Sequence, residues 1–159
     1  GLPIGAFGGR ADIMNYLAPI GPVYQAGTLS GSPIACAAGL ATLEIVTENN
    51  FYAKLHDMSS KLTHELCKVM HAADIDFQVS NLAGMFGFFF TKEQVVNFPN
   101  ITTASSELFK KFFLHMLEQG INVAPSPYEA AFISAEHGSD EIDKTVAAAS
   151  SFIAANSWN

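Results

Sequence analysis

Residues 21–33 combine the side chains and backbone groups that bind anions. The segment is GPVYQAGTLSGSP, in which the glycines leave backbone N–H groups unobstructed and Thr28, Ser30 and Ser32 add hydroxyl donors. A helix is predicted directly afterwards, and helix N-termini and glycine-rich turns expose N–H donors and partial positive charge. This chemistry suits a phosphate or a carboxylate. The alternative is a capped loop whose hydroxyls bond only to their own backbone.

The five histidines give little support for a metal site. His56, His64 and His71 lie on one predicted helix at separations of eight and seven, so no pair has the i, i+4 spacing that places two imidazoles on one metal. His115 lies in a phenylalanine-rich stripe and is predicted to pack between helices. His137, in SAEHGSD, is either near a site or on the plain surface. No G-x-S-x-G elbow, dinucleotide fingerprint or P-loop occurs.

Composition restricts the classes of partner. The 159 residues carry a net charge of −7 with no basic cluster, so nucleic acid is not expected as a partner. No apolar run approaches the ~20 residues that cross a bilayer, so no membrane partner is expected. Cys36 and Cys67 are predicted to be buried reduced thiols, as is typical of a cytosolic or organelle-matrix protein. The opening GLPIGAFGG, without an initiator Met, predicts a fragment.

The elements around the glycine-rich loop indicate two parts of the chain. Ser32-Pro33 predicts a helix start, with Ser32 as the capping side chain, and a well-buried helix from Ile34 to about Glu48. Asn49-Asn50 breaks the pattern and marks the predicted boundary.

The second part has a helical period from Phe51, with apolar residues at alternating spacings of four and three. Residues 76–80 and 84–91 are predicted strands, the second one central because it is continuously apolar. Residues 92–106 are predicted to be a loop or an ordered excursion, followed by a helix that ends at Gly120. Residues 121–125 and 130–134 are candidate short strands, and Asp140 with Asp143 starts a last helix. The order predicts an α+β layer with helices over a small, mostly antiparallel sheet.

Four blocks in this order resemble the class III aminotransferase family of pyridoxal-phosphate enzymes, which have fold type I. They are LPIGAFGGRADIM, GPVYQAGTLSGSPIACAAGLATLE, GMFGFFFT and APSPYEAAFIS. VYQAGTLSG and PSPYEAAFIS resemble its aminomutase branch, which moves an amino group within one small-molecule substrate. The resemblance implies that residues 1–49 are the tail of the large α/β domain that binds pyridoxal phosphate. Residues 50–159 would be the small C-terminal α+β domain.

The resemblance also implies roles for four residues. Gly27 and Thr28 match a pair that binds the phosphate of the cofactor held by the neighbouring subunit, which implies a homodimer. Tyr24 matches a tyrosine near cofactor and substrate. Glu129 matches a glutamate that faces the active-site entrance and contacts the substrate amine; its alternative is a solvated turn residue. The Schiff-base lysine is expected upstream of Gly1, so this chain alone is expected to be inactive.

Two other interpretations remain open at this stage. One is a class III transaminase that exchanges amino groups between two substrates. The other is a non-catalytic α+β interaction module in which the glycine-rich loop is a linker. Six of the seven lysines are predicted to lie on polar faces of helices, and Lys92 is predicted to end a strand; none is expected to form the Schiff base. The resemblance implies a cytoplasmic protein, or a plastid one if the source is a photosynthetic eukaryote.

Overall fold

The computed structural model describes residues 2–156 and contains two compact units, residues 1–49 and 50–159. The division falls between Asn49 and Asn50, where the apolar helical pattern is interrupted. Asn50 has a positive φ of 66° and immediately precedes the first helix of the second unit. Asparagine tolerates this left-handed conformation better than most residues, which explains its use at the junction.

The first unit contains helices α1 (Ala11–Met14) and α2 (Pro33–Val46). Pro33 is the first residue of α2, which confirms the predicted start, but the Ser32 side chain makes no capping hydrogen bond. The predicted burial of α2 was wrong: Ala35 is its only buried residue, and Ile34 is 74% exposed. The reason is that α1, the only other helix described in this unit, has four residues and is too short to cover α2.

The second unit has the predicted α+β class. Its elements are α3 (Phe51–Ala72), β1 (Gln78–Leu82), β2 (Met85–Phe89), α4 (Phe98–Thr102), α5 (Ser106–Glu118), β3 (Ala131–Phe132) and α6 (Ser139–Ala155). The order differs from the prediction by an additional short helix before α5 and by one short strand after it where two were predicted. The strands form one antiparallel sheet in the order β1-β2-β3, with Val79 opposite Phe88 and Phe86 opposite Ala131. The apolar strand β2 is therefore central, as its composition predicts.

Helices α3, α5 and α6 and the sheet enclose a phenylalanine-rich core. Phe77, Phe112 and Phe152 are each 1% exposed, and Met70 and Met116 are fully buried. The ring centroids of Phe112 and Phe152 lie 5.2 Å apart in an edge-to-face arrangement, which adds to the hydrophobic gain of burial. This core holds β2 and the helices that border the groove described below.

The hairpin between β1 and β2 brings β3 into place. Its turn contains Ala83, with a positive φ of 52°, and Gly84. The buried Ser59 hydroxyl of α3 contacts the Ala83 carbonyl oxygen and lies 2.8 Å from the Asn81 side-chain oxygen. Ile133 N–H donates to the Gly84 carbonyl at 2.8 Å, and a Cβ at Gly84 would lie 3.0 Å from the Ile133 carbonyl oxygen. A larger residue at position 84 would therefore push β3 away.

Other boundaries differ from the sequence expectations. The predicted strand at 121–125 is absent: Ile121 N–H donates to Met116 O in the C-cap of α5, and Gly120 has the predicted positive φ, 79°. The excursion at 92–106 includes the short helix α4. Helix α6 begins at Ser139, one residue before Asp140, because Glu141 accepts the Gly138 N–H in its first turn. Cys36 and Cys67 are free thiols but only partly buried.

Within residues 2–156, no helix is both long enough and apolar enough to cross a membrane.

Candidate cofactor cradle and substrate groove

The segment 27–32 folds into two consecutive tight turns. Ser30 N–H donates to Gly27 O at 2.9 Å, and Ser32 N–H donates to Leu29 O at 3.1 Å. Gly31 has a φ of +74°, a conformation that glycine adopts without steric cost. These bonds leave the N–H groups of Thr28 and Gly31 without a backbone acceptor in the part of the chain that the structure describes. The loop therefore presents free N–H donors.

These turns line a depression of about 470 Å³, which we call the cradle, formed by Pro3–Gly5, Gly27–Gly31 and Ala35. A Cβ on Gly27 would lie 2.6 Å from the Ser30 hydroxyl oxygen, so the absence of a side chain at 27 makes room for that hydroxyl. The lining contains two hydroxyls, free N–H groups and no charged side chain. This donor set fits a phosphate group, because backbone dipoles and hydroxyls can bind an anion without a counter-charge.

The structure does not bring Tyr24 into the cradle. Its side chain is 83% exposed and is not part of the lining. The residue before it is fixed by Val23 N–H, which donates to Tyr16 O at 2.8 Å, and by Ala18 N–H, which donates to Val23 O at 2.9 Å. Within its own unit Tyr24 therefore projects into solvent from an ordered backbone.

Glu129 lies in the second unit, on the rim of a separate depression of about 380 Å³, which we call the groove. Ser126 sets its position: the Ser126 hydroxyl accepts Tyr128 N–H at 3.2 Å, and the Ser126 carbonyl accepts Glu129 N–H at 3.1 Å. The Glu129 carboxylate has no hydrogen bond or ion pair with the described residues. The apolar part of the lining includes Leu62, Phe86 and Ile133. The rest of the lining is polar and includes Asn122, His137, Glu141 and Thr145 beside Glu129. A concave site with convergent polar groups is a candidate small-molecule site.

Two groove residues, His137 and Glu141, were missed or undervalued by the sequence reasoning. The sequence left two interpretations of His137 open, a residue near a site or a plain surface residue. The structure places it in the groove lining with Glu129. Ser134 N–H donates to His137 Nδ1 at 3.0 Å, and the Ser134 hydroxyl lies 2.9 Å from the same nitrogen. The S-x-x-H spacing was the available signal, since it allows a turn in which the serine orients the imidazole.

Glu141 links the groove to the start of α6. Its carboxylate accepts the Gly138 N–H at 2.7 Å. This backbone hydrogen bond, with smaller contributions from its own backbone N–H, Lys144 and His137, lowers the pKa of Glu141 below its ordinary value. A carboxylate near a helix N-terminus is stabilised in its charged form, which is consistent with that direction.

Substitution Glu141→Gln is expected to reduce the acid sensitivity of folding. Because the folded-state pKa of Glu141 is depressed, its ionised form stabilises the fold above the unfolded pKa, and that stabilisation is lost as the pH falls through the folded pKa. Denaturant unfolding between about pH 5 and about pH 3 should show a smaller loss of stability in the variant than in the wild type. Glu118→Gln, at the last residue of α5, is the control. Equal pH profiles for wild type and Glu141→Gln would contradict the assignment.

The remaining candidate residues are placed as follows. All seven lysines are exposed, which agrees with the polar helix faces predicted for six of them; they are Lys54, Lys61, Lys68, Lys92, Lys110, Lys111 and Lys144. His115 packs against Phe152, with ring centroids 5.6 Å apart, and its Nε2 lies 2.8 Å from the Ser151 hydroxyl, which confirms the predicted helix-packing role.

Among residues 2–156 no group of three or more His, Cys, Asp or Glu side chains is arranged to hold a metal ion.

The family model described as aminotransferase class-III matches residues 1–136. This match covers most of the sequence, so the chain belongs to the class III aminotransferase family, as the four sequence blocks predict. The architecture agrees: a β-phenylalanine aminotransferase from Variovorax paradoxus superposes with a TM-score of 0.80 at 26% identity, over 93% of this chain and 34% of that one.

Two curated relatives are more similar in sequence. The glutamate-1-semialdehyde 2,1-aminomutase of Legionella pneumophila (strain Corby) is 52% identical over 150 residues, 94% of this chain. The protein of the same name from Desulforapulum autotrophicum is 49% identical over 154 residues, 97% of this chain. The chain spans only 35% and 36% of the lengths of these relatives.

Proposed function

We propose that this chain is part of a glutamate-1-semialdehyde 2,1-aminomutase, an isomerase that converts glutamate-1-semialdehyde to 5-aminolevulinate for tetrapyrrole (porphyrin) synthesis. The observation that carries the proposal is the 52% identity over 94% of the chain to a relative of that name. The sequence blocks VYQAGTLSG and PSPYEAAFIS point to the same branch of the family.

The cradle has the donor set for the cofactor phosphate. We assign the Thr28 hydroxyl and the free N–H groups of the 27–31 turns to the phosphate of pyridoxal phosphate. The cofactor, when bound, supplies the electron sink and amino carrier for the reaction. The family resemblance implies that this cofactor belongs to a partner subunit, so the assignment includes a homodimer. A cytoplasmic location, or a plastid one in a photosynthetic eukaryote, follows from the same resemblance.

The groove has the groups to recognise an amine. The Glu129 carboxylate, unpaired among the described residues, accepts hydrogen bonds from a protonated amino group of the substrate. Charge-assisted bonds of this kind are stronger than neutral ones. Tyr24 is assigned to the cofactor and substrate region on the resemblance alone, because its exposure within its own unit adds no support.

The test is an assay of the full-length protein that contains this chain. With pyridoxal phosphate and glutamate-1-semialdehyde as sole substrate, 5-aminolevulinate is the expected product. Turnover only after addition of a second amino compound would instead indicate a transaminase. Absence of turnover in either assay would favour the non-catalytic module.

Glu129→Gln in this full-length protein is expected to raise the KM for glutamate-1-semialdehyde by about tenfold or more, since a charged hydrogen bond to the amine is weakened. Glu136→Gln is the matched control, because Glu136 is exposed nearby and does not line the groove. Tyr24→Phe tests the tyrosine in the same assay. Unchanged kinetics in Glu129→Gln would remove Glu129 from the substrate site, and unchanged kinetics in Tyr24→Phe would remove Tyr24.

A further inference from the structure

The imidazole of His137 is held in one orientation and one tautomer. Its Nδ1 receives the backbone N–H of Ser134 at 3.0 Å, and the Ser134 hydroxyl lies 2.9 Å from the same atom. A nitrogen that accepts a hydrogen bond from an N–H carries no proton of its own, so the proton of the neutral ring is on Nε2. The turn therefore presents an N–H donor at Nε2.

The turn that carries His137 is itself well supported. His137 N–H donates to Ser134 O at 3.2 Å, and the Ser134 hydroxyl accepts Glu136 N–H at 3.3 Å. At the other end, Ile133 N–H donates to Gly84 O and ties the turn to the hairpin of the sheet. A residue fixed by backbone bonds at both ends of its turn is pre-organised, which reduces the entropy lost when it binds a ligand.

His137 shares its groove with one unpaired carboxylate and one that is already bonded. Glu141 is occupied by the Gly138 N–H at 2.7 Å, whereas the Glu129 carboxylate has no partner among residues 2–156. His137 Nε2 likewise has no hydrogen-bond partner there. The groove thus offers the Glu129 carboxylate as an acceptor for an amine and His137 Nε2–H as a donor for an oxygen, beside the Asn122 amide and the apolar residues Leu62 and Phe86.

We propose that His137 is a second substrate-binding residue, whose Nε2–H donates to an oxygen of the amino-bearing substrate that Glu129 holds by its amine. The ligand class is a short amino acid or amino aldehyde, which has both groups a few bonds apart. This inference rests on the proposed function and adds to it the residue that distinguishes the substrate from a plain amine. Sites built to hydrogen-bond an oxygen reject analogues that lack it.

A pair of substitutions separates the two ring nitrogens. His137→Asn keeps an acceptor near the position of Nδ1 and removes the donor at Nε2. His137→Gln reaches the Nε2 position with an amide donor but loses the acceptor for Ser134 N–H. If His137 binds the substrate, His137→Asn should weaken ligand binding and His137→Gln should destabilise the turn. If its role is purely structural, only His137→Gln should have an effect.

The experiment uses the full-length protein and calorimetric titration with 5-aminolevulinate, which needs no turnover. His137→Asn is expected to weaken binding about tenfold, the effect of one lost hydrogen bond, with a melting temperature within about 4 °C of the wild type. His137→Gln is expected to bind within about twofold of the wild type. The KM for glutamate-1-semialdehyde should follow the same order. His64→Asn, an exposed histidine of α3 outside the groove, is the control.

Each outcome has one meaning. Weaker binding in Asn with near-normal binding in Gln supports the assignment. Normal binding in Asn, or a larger loss in Gln than in Asn, overturns it. The wild-type protein tests the proposed function separately. If it binds 5-aminolevulinate but does not form it from glutamate-1-semialdehyde, the aminomutase assignment is wrong, and the binding of the His137 variants can still be compared. A wild type that does not bind it overturns both.

Discussion

Phe112→Ala is expected to lower the free energy of unfolding of the chain by about 3–5 kcal/mol, the usual cost of removing a buried phenylalanine ring. Phe112 is 1% exposed and is the ring that joins the sheet to two helices. From α5 it contacts Phe88 and Phe90 of the segment that begins with β2, with centroids 5.3 and 5.6 Å away, and Phe152 of α6 at 5.2 Å. Truncation removes these three contacts together. It leaves a cavity between the sheet and the two helices, which cannot all move inward to fill it.

Denaturant unfolding of the 159-residue chain measures this change. Phe98→Ala is the matched control, because Phe98 is the same residue type at 63% exposure in α4. Its cost should stay within about 1 kcal/mol, as is usual for a surface position. Similar losses in the two variants would mean that the core does not depend on Phe112. A loss concentrated in Phe112→Ala would also be expected to disturb the groove, since β2 and α6 both contribute to its lining.

Periodicity predicted the second unit because long elements repeat their pattern many times. In α3 the buried positions Leu62, Leu66 and Met70 follow the helical spacing over 22 residues, and the apolar run of β2 marks the central strand of the sheet. A pattern repeated over five or six turns outweighs local propensity. Boundaries were less accurate, because they depend on single hydrogen bonds such as Glu141 to Gly138 N–H.

Short segments were harder to predict from the sequence, because the residues that they pair with are distant along the chain. Residues 121–125 have strand-like composition, yet Ile121 N–H is used in the C-cap of α5 and no ladder follows. Only two residues, Ala131 and Phe132, form β3, and their position depends on the close approach at Gly84. Neither effect leaves a periodic signal. The prediction that α2 is buried was wrong for another reason. Its composition is apolar, but no described helix or strand of its unit covers it.

The candidate site was predictable where the chemistry is local. The glycines and hydroxyls of 27–32 indicated a donor-rich turn, and the structure shows the free N–H groups and the room that Gly27 leaves for Ser30. The groove was not predictable in this way. Glu129 and His137 lie eight residues apart around β3, and only folding shows that they line one depression. The tautomer of His137 depends on a backbone N–H, which sequence does not display.

Thr28→Val is expected to weaken the affinity of the full-length protein for pyridoxal phosphate by about 10- to 100-fold. A hydrogen bond to a charged group contributes about 1.5–3 kcal/mol, and each 1.4 kcal/mol is a factor of ten in the dissociation constant. The Thr28 hydroxyl has no partner among the described residues, so its replacement by an isosteric methyl group orphans no protein atom. Stability should therefore be unchanged while cofactor affinity falls, and equilibrium dialysis against pyridoxal phosphate measures the latter.

Two further variants make this result specific to the cradle. Thr28→Ser restores the hydroxyl and should recover most of the affinity. Thr47→Val alters another exposed threonine of the same unit, whose hydroxyl donates to Leu43 O at 2.7 Å at the end of α2. That variant should lose some stability and no cofactor affinity, the reverse of Thr28→Val. Wild-type affinity in Thr28→Val would place the phosphate elsewhere. Equal losses in the valine and serine variants would contradict the assignment, because the serine variant keeps the hydroxyl that is assigned to the phosphate.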